Sequence, residues 1–464
     1  LEASKPVTHG RFKTSRGVDG QSLAIILTFI DSLPAGKDAH SSDLIQMKLR
    51  QFSICQSFRS TGILLVAMLF FVSLGCESAS DVPALGDGDS WDQVQQQAKT
   101  QTVRMAMWDG HPLINAYMRD YVTPKLFEEH GVRLELFGGQ GSALVSKLMV
   151  DLEAGRQAGD IDVMWINGET FYQLRKLSAL YGPFTDRLPN NQLIDWQNPF
   201  IAIDFQQQVE GFECPWGSVQ QAVIYNSQRV PKPPQTIEEL TTWITEHPGR
   251  FTFDNGFTGM TFLKSLLYHF GGGRDSFAGP FNEEKYLAAS GKLWSWLRDV
   301  QPHLWREGKT FPESVSQMHQ LLSNNEIDFS MSNNDGEVDN KVQQGILPES
   351  VQAYVPQFGT IRNSHYLGIP VNASNKAAAL VLINFLISPE TQFEKSKPAV
   401  WGDGTVLSTE LLPDEWRSQF DSIEGRTRIA TRDELQKLAL MEPAPEIMIR
   451  IHEDFRREII ERGQ

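Results

Sequence analysis

The sequence predicts an α/β protein made of two helix-covered blocks, and three observations predict it. Short runs that alternate apolar and polar residues take turns with segments of helical spacing. The strand ends run into loops rich in Gly, Asn, Asp and aromatic residues. A proline-punctuated stretch, with Pro183, Pro189 and Pro199 and then Pro231, Pro233 and Pro234, separates the first series of elements from the second.

In order, residues 91–100 read as a polar helix and 102–108 as an alternating strand, stopped by Asp109, Gly110, His111 and Pro112. Residues 113–129 have helical spacing, with Pro124 set to kink or split the helix. A strand at 132–137, a Gly-rich turn at 138–142 and a helix at 143–155 follow. Residues 161–166 form the third strand, and Asn167, Gly168 and Glu169 open a helix reaching about Leu177. This β-α-β-α-β-α run is the mark of a parallel, helix-covered sheet. Residues 214–225 read as a loop entering a strand, and Thr236 opens a helix as a cap. The second block then offers a strand at 251–253 and helices at 260–270, 287–297 and 315–322. Strands at 327–331 and 367–370 follow, then a helix at 374–387 closed by Ser388 and Pro389, and a mainly helical tail from Thr431. No internal repeat is present.

Composition narrows the function. The chain has 464 residues, 41% of them hydrophobic, which is ordinary for a globular protein and unlike a disordered or polytopic membrane chain. Asp and Glu number 57 against 42 Lys and Arg, a formal charge of −15. So acidic a chain is not expected to bind nucleic acid, which calls for a basic face. Three cysteines, Cys55, Cys76 and Cys214, cannot build a disulfide scaffold.

The first ninety residues carry their own message. Met47 is followed by Lys48, Arg50 and Arg59, then by an uncharged apolar run at 63–72 and by Ser73, Leu74, Gly75 and Cys76. A basic region, a short apolar region and a small-residue cleavage zone are the anatomy of a secretory signal. The apolar run is far below the ~20 residues that span a bilayer. The ending resembles a bacterial lipobox, with Ser73 where a Leu is usual. The resemblance implies cleavage before Cys76 and acylation of its thiol, and so a membrane attachment through lipid. On this reading 1–46 is an upstream extension, 47–75 a lipoprotein signal and 76–90 a flexible tether. Cys214 is then a small buried hydrophobe.

An open α/β sheet binds ligands beyond the carboxyl ends of its strands. Those ends carry Trp108, Asp109 and Gly110, then 139–142, Asn167, Gly168 and Glu169, then Pro215, Trp216 and Gly217, and finally 254–259 and 333–335. After the lipobox-like leader, the segments at 108–110, 162–169, 215–217, 257–259, 305–312, 372–379, 384–389 and 398–403, in this order, resemble the YnjB-type solute-binding proteins of bacterial ABC transporters. The resemblance runs from about Trp91 to the C-terminus. It implies a two-lobed type II periplasmic-binding-protein fold, each lobe a helix-covered mixed sheet, joined by a hinge with crossovers near 211–216 and 366–372. Lobe 1 would hold 91–211, lobe 2 would hold 212–366, and 367–464 would return to lobe 1 and supply the C-terminal helices. It also implies delivery of the solute to a membrane permease driven by an ATPase. Such a binder acts as a monomer, without a cofactor.

Closure over a small solute calls for aromatic faces and for polar loop tips that fix orientation. The expected ligand groups are Trp108, Asp109, Ser142, Asn167 and Glu169 from lobe 1, and Trp216, Phe257, Thr258, Asn334 and Asp335 from lobe 2. Acids and aromatics together point to a cationic or aromatic-cationic solute, such as a polyamine or a thiamine-like compound. Each group has a plainer role open to it. Trp108 and Trp216 could pack, Ser142 and Asn167 could cap, and Glu169 and Asp335 could be solvated charges. An envelope enzyme is the first rival, but no His-Glu-x-x-His, Gly-x-Ser-x-Gly or Cys-x-x-Cys motif occurs. Metal capture is the second, and neither a Tyr-Tyr pair nor a clustered set of histidines supports it. A lipid-anchored sensor is the third.

Overall fold

The computed structural model describes residues 85–86, 88–423 and 426–462. The extension at 1–46, the signal at 47–75 and Cys76 lie outside the described residues, as does most of the tether.

Helix α1 (Trp91–Ala98) starts at a capping box in which Ser90 and Gln93 satisfy each other's backbone N–H groups. It leads into β1 (Thr102–Met107), which pairs in parallel with β2 (Arg133–Gly138) on one edge and β3 (Val163–Ile166) on the other. Parallel neighbours need crossovers. The first is helical from α2 (Pro112–Ala116) through a π turn at Tyr117–Val122 to α3 (Thr123–His130). The wide turn falls just before Pro124, where the proline has no N–H to continue the ordinary ladder. The second crossover is α4 (Ser142–Glu153), and α5 (Gly168–Lys176) follows β3. After β4 (Leu180–Tyr181) and the single turn α6 (Pro199–Ala202), a small hairpin forms from β5 (Ile203–Asp204) and β6 (Gln207–Gln208).

The chain leaves lobe 1 along β7 (Glu213–Gln220), buried at every position, and enters β8 (Ala222–Asn226). In lobe 2, β8 is the centre of a three-stranded antiparallel sheet with β9 (Phe329–Ser332) and β10 (Val351–Tyr354). Around it pack α7 (Ile237–Glu246), α8 (Phe257–Gly271), α9 (Glu283–Val300), α10 (Val315–Ser323) and α11 (Glu337–Gln343). Residues 251–253, expected as a strand, lie outside every sheet. Phe251 and Phe253 send their rings into the core against Phe262, and the Phe251 carbonyl accepts from the Trp305 N–H instead of from a strand.

The return path is β11 (Thr360–Pro370), antiparallel to β7 from Arg362 to Gly368 and antiparallel to β3 at Tyr366 to Gly368. The hinge is therefore a two-stranded ribbon with an irregularity between His365 and Tyr366. Gly217 faces His365 in it, and a Cβ at Gly217 would collide with the Asp403 carboxylate. Back in lobe 1, α12 (Lys376–Leu386) is buried on almost every face, and α13 (Pro389–Ser396) and α14 (Asp414–Asp421) cover its end.

The tail does not stay in lobe 1. Arg428 bonds to the Glu349 and Val351 carbonyls of lobe 2. α15 (Arg432–Gln436) precedes β12 (Ala439–Leu440), which pairs with the start of β11. α16 (Pro445–Phe455) places Ile447, Met448, Ile451 and Phe455 in the same core as Phe253 and Leu266. Among the described residues no helix is long and apolar enough to cross a membrane.

Candidate functional site

A cluster of tryptophans lies against the hinge ribbon of β7 and β11. Trp165, near the end of β3, is partly buried and lies edge-on to Trp216 at 4.9 Å, to His365 at 5.1 Å and to Trp108 at 6.5 Å, while Trp401 is 5.8 Å away. Trp216 and Trp401 are buried behind it, whereas Trp108 is 38% exposed. A buried ion pair fixes the back of this stack. Lys395 donates to Asp403 (2.7 Å), to the Trp216 carbonyl (2.6 Å) and to the Gly404 carbonyl (3.0 Å), one acceptor for each ammonium proton. His365 Nε2 lies 3.4 Å from the other Asp403 oxygen. Burial alone would raise the Asp403 carboxyl, but the charges of Lys395 and His365 hold it below the usual carboxylate range.

On one side the loop after β1 crosses to lobe 2. His111 Nε2 is 3.0 Å from Lys341 Nζ and 3.7 Å from Glu337 Oε1. Glu337 also meets His319 at 3.7 Å and accepts from Ser332. Burial works against its charge, yet His111, His319 and Lys341 keep its carboxyl well below the ordinary range. On another side the β5–β6 hairpin reaches lobe 2, where Gln206 Nε2 donates to the Glu442 carbonyl (2.6 Å). Beside it Lys264 Nζ donates to Glu442 Oε2 (2.5 Å), and Asn363 of the hinge donates to Oε1 (3.0 Å).

The ten expected residues divide on this frame. Trp108 and Phe257 present exposed rings, one at the end of β1 and one opening α8. Asp109 is exposed beside Gly138. Glu169 is mostly buried, and burial raises its carboxyl against the pull of Lys264. Asn167 caps α5 through the Thr170 N–H (3.1 Å). Ser142 is exposed at the first position of α4, where Gly141 is the cap and no side chain bonds to it. Thr258 Oγ1 accepts from Asn333 (3.1 Å), so the polar pair on lobe 2 includes Asn333, while the Asn334 side chain turns back to the Gly336 N–H (2.8 Å). Two of the ten, Trp216 and Asp335, are enclosed within the protein. Trp216 is fully buried as the backing of Trp165 and offers no surface. Asp335 is buried and consumed by Arg426 (2.6 Å), Arg432 (3.1 Å) and the Gln220 N–H (3.1 Å), so it ties the tail to the hinge.

Residues 116–420 match the family described as bacterial extracellular solute-binding protein. Protein YnjB of Escherichia coli strain K12 is 34% identical over 336 residues, covering 72% of this chain and 86% of YnjB.

The chain belongs to the bacterial extracellular solute-binding proteins.

This solute-binding protein therefore works outside the cytoplasm, as the capture component of an ABC importer. Solved structures agree on its fold. The spermidine/putrescine ABC transporter substrate-binding protein PotD of Streptococcus pneumoniae is 14% identical, with 78% of this chain and 100% of PotD covered at a TM-score of 0.54. The periplasmic binding protein AfuA of Actinobacillus pleuropneumoniae, described with fructose-6-phosphate bound, is 15% identical, with 78% and 99% covered at 0.53. Such identities speak for the two-lobed architecture alone.

Several groups of this solute-binding protein's cleft escaped the sequence reading. Trp165 was visible at a strand end, one residue before the loop. His365, Trp401 and Lys395 come from the second half of the chain, and no local pattern points them at Trp165. Among the described residues no group of three or more His, Cys, Asp or Glu is arranged to hold a metal ion.

Proposed function

We propose that this protein captures a small cationic or aromatic-cationic solute between its lobes and hands it to a membrane permease powered by an ATPase. The observation that carries the reading is the pair of exposed rings, Trp108 at the end of β1 and Phe257 at the start of α8. Each lobe thus keeps a large aromatic in water near a loop, and in lobe 1 Phe137 near the end of β2 is exposed as well. Asp109 and Glu169 supply negative charge on the lobe 1 side. A desolvated cation over an aromatic face gains about 2 kcal/mol, which rewards an aromatic-cationic solute. The fold does not choose the solute, since of two neighbours of similar likeness one is named for spermidine and putrescine and the other is described with fructose-6-phosphate bound. The test is a thermal-shift panel of thiamine, polyamines, sugars, amino acids and ferric chelates. One class should stabilise saturably, and Trp108→Ala should weaken that hit roughly tenfold or more. Turnover of the hit, or an undiminished response in Trp108→Ala, would overturn the reading.

We also infer that Cys76 carries the lipid that keeps the binder near its permease. The support is the order of basic residues, apolar run, Gly75 and Cys76. Fatty-acid labelling of cells should mark the protein and spare Cys76→Ala, and equal labelling of both would sink the idea.

A further inference from the structure

Lys264 is fully buried at the meeting of the two lobes, a costly place for an ammonium group. It lies seven residues after Phe257 on α8, two turns along the same face. Its Nζ is 5.2 Å from the Phe257 ring centroid and 5.2 Å from that of Phe205. It donates to Glu442 Oε2, whose partner oxygen is held by Asn363. Glu169 and Asp204 of lobe 1 are close enough to feel its charge, as is the largely buried His452 of α16. Two aromatic faces, a hydrogen-bonded carboxylate and two further acids are the parts of an ammonium-binding box. Phe205, Asp204 and Glu169 come from lobe 1, Phe257 and Lys264 from lobe 2, Asn363 from the hinge and Glu442 from the tail. The box exists only when these segments meet, which is where a captured solute would be held.

We propose that Lys264 is a built-in occupant of this box and thereby a specificity-determining residue. Its ammonium takes the place that the terminal ammonium of a linear di- or polyamine would fill. The solute is then an aromatic cation gripped at Trp108 and Phe257, with no primary alkylammonium end. This rests on the reading of the cleft as a cationic-solute site and divides its two candidate classes.

The experiment is cavity rescue on the full chain. Lys264→Ala removes a propylammonium group and leaves its box. Propylammonium and putrescine should raise the variant's Tm saturably and bind roughly tenfold or more tighter than to the unmodified protein, whereas n-propanol should do neither. If Lys264→Ala does not fold, Lys264→Met keeps the stem and vacates only the charged end, and the ammonium ion becomes the probe. A flat response in the variant that folds overturns the proposal, as does equal putrescine binding by the unmodified protein. Failure of every aromatic cation on the unmodified protein, with rescue intact in the variant, would instead sink the aromatic-cation reading and leave the filled box standing.

Discussion

Glu213 shows what a single side chain does in this fold. It begins the hinge strand β7, fully buried, and among the described residues neither carboxylate oxygen meets a donor. Burial pushes its carboxyl well above the usual range, and the nearby Asp204, buried with an unpartnered oxygen of its own, pushes it further. A carboxyl raised in the folded state favours folding fully only below the unfolded value. That contribution is lost as pH rises through the folded value. Glu213→Gln should therefore stabilise the protein at pH 8 by about 1–3 kcal/mol and do little at pH 4, read from urea midpoints at both pH values. An equal effect at both would refute the assignment. The residue types at the strand ends were readable in the sequence, because Trp108, Asp109, Asn167 and Glu169 sit where alternation stops. The burial of Glu213 was not, because a lone acid in a strand gives no sign of which sheet will cover it.

Among elements, α11 carries a charge that joins the lobes. Glu337 in its first turn faces His111 from lobe 1, His319 from α10 and Lys341 one turn on. Its carboxyl is held low, so its contribution is present above the ordinary carboxylate range and is lost as pH falls below it. Glu337→Gln should cost about 2–4 kcal/mol at pH 7, with the gap to the unmodified protein closing towards pH 3 in denaturant titrations. A gap unchanged with pH would mean that the carboxylate charge does not hold the cluster. Most helices could be placed within a turn of where the structure has them, since their spacing and caps are local. Residues 251–253 could not. Their alternation fits a strand, but the third sheet position beside β8 is taken by residues far away in the chain.

At the scale of the molecule, two lobes share a ribbon of β7 and β11, and a tail that begins its lobe 2 contacts at Arg426 crosses the same boundary. Asp335 pins that tail to the hinge through Arg426 and Arg432. Closure therefore draws on three connected segments. A solute that binds only the folded form at ~100 times its Kd should add about 2.7 kcal/mol to unfolding. The same addition should shrink the radius of gyration measured by small-angle scattering, because a ligand touched by both lobes favours the closed arrangement. Stabilisation with no change in dimension would place binding on one lobe alone.

By itself the sequence determined the α/β class, the two blocks, the loops that carry aromatic and polar tips, and the family. These follow from periodicity, turn chemistry and motif order, all written over short spans. Only the tertiary structure decided which charges are spent within the protein and which tryptophans face solvent. It set Asp403 against Lys395 eight residues earlier, and it set Asp335 against two arginines and Lys264 against Glu442 across gaps of chain that no local pattern spans. The physical reason is that desolvation and pairing depend on what packs on the other side of a side chain, and in this fold the other side is supplied by the returning strand and the tail.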